Sequence, residues 1–121
     1  MTPQFPHLVV ERRADVFCVR PRSARIEEGE IPDLATELIA LAESAPCRGV
    51  ALSLGPQPLE CLYSVFLAKL YWVQRVLSER GVALVLCEAP PAVRSIFEAV
   101  KLDDRFRFAA DFNAAVADLT A

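Results

Sequence analysis

The side chains here that could carry chemistry are few and scattered: one histidine, His7; four cysteines, Cys18, Cys47, Cys61 and Cys87; the serines Ser53 and Ser64; the acidic pair Asp103-Asp104; and the arginines Arg20, Arg22 and Arg25. A histidine-based triad or a multi-histidine metal site needs an imidazole held among partners, and a lone histidine on a terminus expected to be mobile supplies neither. The cysteines are widely spaced without a Cys-x-x-Cys, the spacing that zinc sites and redox motifs use. Cys18 and Cys87 fall in β-prone runs, where a reduced thiol packs as a small apolar group. Gly49, Gly55 and Gly81 are too far apart for a phosphate-cradling loop, and no Gly-Lys-Ser/Thr occurs. Asp103-Asp104 reads as a turn and cap. The three arginines, followed by Glu27, Glu28 and Glu30, read as a solvated loop, with anion binding as the alternative. Neither Ser53 nor Ser64 has a general base near it in sequence. These residues predict a protein that is not an enzyme, with no cofactor and no metal.

The elements that would position them belong to one domain, residues 1–121, whose apolar content of 54% and charged content of 24% describe a folded chain with a single core. A net charge of −3 with no concentrated basic face argues against nucleic acid. No apolar run approaches the ~20 residues that cross a bilayer, and Met1 to Arg12 lacks the pattern of a secretory leader. A cytoplasmic protein without membrane insertion is expected.

Leu8 to Val10 and Val16 to Val19 predict two strands joined through Glu11 to Asp15, and Arg20 to Ile31 a loop broken by Pro21 and Gly29. Pro32 opens a helix carrying Leu34, Leu38, Leu41 and Ala45 on one face and ending near Ser44 to Pro46. From Gly49 a strand points Val50, Leu52 and Leu54 one way and Ala51 and Ser53 the other. A long helix follows from Pro58 to Arg80, starting near Gln57 because Pro58 and Glu60 suit the first and third positions. Val82 to Cys87 is apolar on both faces, as inside a parallel sheet. Pro90-Pro91 opens a helix that buries Val93, Ile96, Phe97 and Val100; Phe106 to Phe108 forms a short strand; Asp111 caps a last helix with Phe112, Val116 and Leu119 inward.

The long helix has more apolar surface than one sheet can bury. Around Phe66, the residues Leu59, Leu62, Leu70, Val73 and Leu77 form the core arc; Val65, Trp72 and Val76 lie on one flank and Tyr63, Leu67 and Tyr71 on the other. These two flanks are expected to form a partner or dimer surface anchored by Trp72, Tyr63 and Tyr71. The alternative is that the N-terminal arm or the loop before Pro32 folds over them.

Taken together, the order β-β-α-β-α-β-α-β-α resembles a STAS domain, the fold of anti-sigma factor antagonists, stressosome proteins and sulfate-transporter tails. The residues that carry the likeness are Arg80-Gly81 leading into Val82 to Cys87, Ala89-Pro90-Pro91-Ala92-Val93, Lys101-Leu102-Asp103, Phe106-Arg107-Phe108 and Phe112 to Val116. The resemblance implies an α/β domain with a mixed sheet of about four to five strands flanked by about four helices. Signalling members of that family carry Asp-Ser-Ser-Gly before the second helix, and an anti-sigma kinase phosphorylates the first hydroxyl. Counting back from Arg80-Gly81 sets Tyr63 at the aspartate, Ser64 at the acceptor and Phe66 at the glycine; counting forward from the strand sets Cys61 and Leu62 at the first two positions. With a helix from Gln57, Ser64 would lie inside it, where a phosphate gains little from the helix end. The resemblance thus implies a regulatory protein whose region from Gly55 to Tyr71 contacts a protein partner: an anti-sigma factor, a kinase-like protein or another STAS protein, with a homodimer compatible. The alternatives are a switch phosphorylated on Ser64, or a small-molecule binder using Ser53, Gln57 and Arg22.

Overall fold

In the computed structural model, which describes residues 5–121, the strand Leu8–Arg13 (β1) turns through Ala14 and Asp15 into Val16–Pro21 (β2). Ala14 takes a φ of 53°, the left-handed conformation that tight hairpins favour. The pair is antiparallel, with Arg13 opposite Val16 and Leu8 opposite Pro21, so the hairpin reaches further than the expected break at Glu11. Helix α1 (Ile31–Ser44), β3 (Gly49–Ser53), helix α2 (Tyr63–Glu79), β4 (Ala83–Cys87), helix α3 (Pro91–Ala99), β5 (Arg107–Ala109) and helix α4 (Phe112–Thr120) follow. The sheet order is β1-β2-β3-β4-β5, parallel from β2 onward: the expected mixed sheet with four helices.

That order fixes the layers. Parallel crossovers are right-handed, and each here steps in the same direction, so α1, α2 and α3 share one face while α4 returns over the other. Val50, Leu52, Leu54, Val82, Leu84 and Leu86 join the larger core with the first three helices. The opposite face holds smaller groups, Cys18, Ala51, Val85 and Cys87, beneath Phe112, Ala115 and Leu119 of α4. Close approach there is tight enough that a Cβ on Gly49 would lie 2.7 Å from Leu119. In α4 the buried stripe uses Ala115, with Val116 only half-buried. Val100 is 50% exposed, because α3 ends one residue before it and turns its side chain out of the core.

The segment around His7 is held, contrary to expectation, by contacts of residues 5–8. The Arg22 guanidinium donates to the carbonyls of Pro6 (3.1 Å), Phe5 (3.3 Å) and Leu8 (2.8 Å), and the Arg22 amide donates to His7 (2.8 Å). His7 itself pairs through Nδ1 with Glu37 and through Nε2 with Glu30 at 3.4 Å, and its amide donates to Glu37 at 2.9 Å. The Glu37 hydrogen bond raises the His7 pKa above 6.5 and the charges of Glu37, Glu30 and Asp33 add to it, against partial burial.

A histidine more basic folded than unfolded contributes stability that is fully present below its unfolded pKa and is lost as pH rises through the folded value. Thermal denaturation of the wild type should therefore show a fall in Tm above pH 6.5 that is reduced in His7→Gln. In the larger core, Phe97 is fully buried and meets Phe106 and Phe108 edge-on at 5.4 and 5.3 Å. Phe97→Ala should cost about 3–5 kcal/mol in urea unfolding.

Candidate functional site

Between β3 and α2 the chain does not begin a helix at Pro58. Glu60 donates its amide to Ala24 (2.7 Å) and accepts the Ile26 amide on its carbonyl (2.8 Å), forming a parallel bridge opposite Arg25. Its backbone groups are thereby taken from any helical ladder, and Leu59 points inward. The helix starts at Tyr63, with Leu62 at its N-cap. Ser64 is then the second helical residue and exposed, rather than deep in the helix as expected. It stands among free amides at the positive end of the dipole, and the first turn holds no acidic side chain. Tyr63 donates its hydroxyl to the Leu59 carbonyl and sets its ring edge-on to Phe66 at 6.4 Å, and Phe66 is core.

The two apolar flanks of α2 have different fates. Trp72 is 48% exposed, Val65 and Val76 beside it are half-buried, and the Lys69 ammonium sits 5.3 Å over the Trp72 ring. On the other flank Leu67 is 2% exposed, so it offers no surface and its placement on a partner face is corrected. Tyr71 is half-buried, edge-on to Phe106 at 6.3 Å. The cause is the aromatic cluster of Phe97, Phe106 and Phe108, which extends the core beneath this side of α2. Of the two segments expected to cover this flank, residues 5–8 are tied to Arg22 and α1 and the loop before Pro32 pairs with Glu60, while the start of the arm lies outside the described residues.

A polar cluster that joins Ser53 and Arg20, both singled out from sequence, to Glu88, which was not, lies at the carboxyl ends of the strands. Ser53 is 1% exposed, with Oγ 2.8 Å from both the Gly55 carbonyl and Oε1 of Glu88; its single proton serves one of them at a time. Arg20 pairs with the same Glu88 oxygen at 2.7 Å, donates to Ser53 at 3.3 Å and stacks over Phe112 at 4.5 Å. Glu88 has a φ of 58°, left-handed backbone that turns its carboxylate back over the sheet end, and nothing in a glutamate's identity announces that conformation. A Cβ on Gly55 would lie 2.1 Å from the Glu88 carbonyl oxygen, so glycine is what lets the two loops touch. The open depression beside them, about 360 Å³, is lined by Arg20, Ser53, Gln57 and Leu59. Arg22, placed there by sequence, is engaged with the arm instead, and Arg25 pairs with Glu27.

Burial pushes the Cys87 thiol up to about 12, with Glu88 adding, and the Cys61 thiol up to about 11, so both remain protonated at neutral pH. Among the described residues no group of three or more His, Cys, Asp or Glu could hold a metal ion, and no helix is long and apolar enough to cross a membrane.

No protein-family model matches the chain, and the search of curated proteins returns no match. Solved structures do match. An anti-sigma-factor antagonist (STAS) domain protein from Planctomyces limnophilus is 19% identical at a TM-score of 0.78, covering 94% of this chain and 98% of its own. A variant of RsbS from Moorella thermoacetica is 20% identical at 0.73, covering 93% and 94%. An anti-sigma factor antagonist from Mycobacterium paratuberculosis is 19% identical at 0.77, covering 94% and 93%.

The two serines should separate cleanly under mutation. Ser53→Ala removes a partner from the half-buried Glu88 carboxylate and should cost about 1 kcal/mol in denaturant unfolding. Ser64→Ala, at an exposed site, should stay within about 0.5 kcal/mol of wild type.

Proposed function

From the STAS-domain fold of this chain we infer a non-catalytic regulatory module, residues 1–121 acting as one cytoplasmic domain, that works by binding other proteins. Its contact surface is the region from Gly55 to Tyr71, with Leu62 and Ser64 presented outward at the start of α2. The observation that carries this reading is the exposure of that start: Leu62 is 50% exposed at the N-cap of a helix whose next turns are packed into the core. A large apolar side chain left in water at a helix entrance contributes most when a partner covers it. The partner class is an anti-sigma factor, a kinase-like protein or another STAS protein, and binding is governed by mass action between them. Support also comes from the polar cluster, whose groups satisfy one another instead of converging on a ligand.

One observation favours a second reading, phosphorylation of Ser64. The hydroxyl is exposed at the second helical position, where a phosphate would meet free amides and the helix dipole. Tyr63 and Phe66 replace the aspartate and glycine of the usual motif, so a kinase would have to recognise a different approach.

Leu62→Asp keeps a good N-cap while removing the apolar contact, so it should fold normally. Pull-down from the native cell with wild type and Leu62→Asp should show the same protein partner lost from the variant; unchanged capture would move the contact elsewhere. Incubation with ATP and an anti-sigma kinase, read by mass spectrometry, separates the two readings: an unmodified Ser64 beside a modified control protein removes the switch.

A further inference from the structure

We propose that the outer surface of the α1–α2 pair is a self-complementary interface through which two copies of this chain associate about a two-fold axis. This assigns the Trp72 strip to a second copy and deepens the binding reading above, leaving the Leu62 end of α2 for other partners.

Charge on the two helices is divided. The stretch from Glu27 to Ser44 holds Glu27, Glu28, Glu30, Asp33, Glu37 and Glu43 and no lysine or arginine. The outward side of α2 carries Lys69 and Arg75 around Trp72, with Glu79 further along at the helix end. Several of the acids are satisfied internally, Glu30 and Glu37 by His7 and Glu43 by Arg80. Among the described residues, Asp33, Lys69 and Arg75 form no ion pair. Opposite charges are thus left open on neighbouring helices of one layer.

Geometry determines how they can meet. Both helices return antiparallel to parallel strands on the same face, so they run side by side in one direction. The Arg80–Glu43 ion pair sets their relative level. About ten residues, or ~15 Å, back from that pair, Asp33 of α1 comes level with α2 between Lys69 and Trp72. A two-fold axis lying in the contact plane along the helices keeps every residue at its own level. It places α1 of each copy across from α2 of the other. Asp33 of the second copy then faces Lys69, and the half-exposed Trp72 ring meets the small exposed side chains Thr36 and Ala40. An axis running across the helices would instead oppose two acidic α1 surfaces, so electrostatics selects the first arrangement.

Sedimentation velocity of the full chain over a concentration series tests this through charge reversal. Wild type should show a monomer–dimer equilibrium. Lys69→Glu and Asp33→Lys should each weaken it about tenfold or more, since either change sets like charges together at both symmetric contacts. Mixing the two variants in equal amounts should restore association, because the mixed dimer regains an opposite pair at each contact. Trp72→Ala, which only truncates an exposed side chain, should weaken it too. Wild type that remains monomeric throughout, a single reversal as tight as wild type, or a mixture no tighter than its components would each overturn the proposal. The pull-down with Leu62→Asp reads a separate end of α2, so either result can fail while the other stands.

Discussion

The backbone bridge made by Glu60 decides more about this molecule than any side chain does. Its amide and carbonyl are both spent on the loop after β2, at Ala24 and Ile26. A residue whose main chain is committed sideways cannot join a helical ladder, so the helix is postponed to Tyr63. Leu59 is left to fill the core, Leu62 becomes the N-cap, and Ser64 lands in the first turn. Had the helix begun at Pro58, the amides at its end would have lain more than a turn from Ser64. A pairing of two loops therefore sets which side chains stand exposed at the start of α2.

The sheet order imposes a second asymmetry. Three helices crowd one face and α4 alone covers the other, which is why the strands carry Val50, Leu52, Leu84 and Leu86 on the first side and Cys18, Ala51 and Cys87 on the second. A short helix over small side chains can approach closely enough for Leu119 to rest against Gly49. At the carboxyl edge of the same sheet, left-handed backbone at Glu88 costs about 1–2 kcal/mol. Its hydrogen bonds to Ser53 and Arg20 offset that cost and join the loops after β3 and β4.

Much of this architecture was legible in the residues. The alternation of Val50, Leu52 and Leu54 against Ala51 assigned the two faces of β3 correctly, and the unbroken apolar run from Val82 to Cys87 placed β4 inside a parallel sheet. Asp111 caps α4 as its type predicts, accepting from the Ala114 amide at 2.8 Å. What could not be read were contacts distant in sequence. Pro58 and Glu60 are good opening residues for a helix, but a bridge to Ala24 outweighs local preference. Leu67 and Trp72 looked alike on a helical wheel until the aromatic cluster from α3 and β5 claimed one side of α2. His7 gave no sign of its two carboxylates, because Glu30 and Glu37 reach it only after the chain has folded.

The chain contains a single tryptophan, and it stands half in water at the middle of the least covered strip of α2. Its indole also lies under the Lys69 ammonium. The protein thus carries a built-in optical reporter whose emission colour depends on that one patch and on almost nothing else in the fold. Anything that settles there would dry the indole and move its light toward the blue without a label being added, whereas events at the sheet's far face would leave it dark to notice.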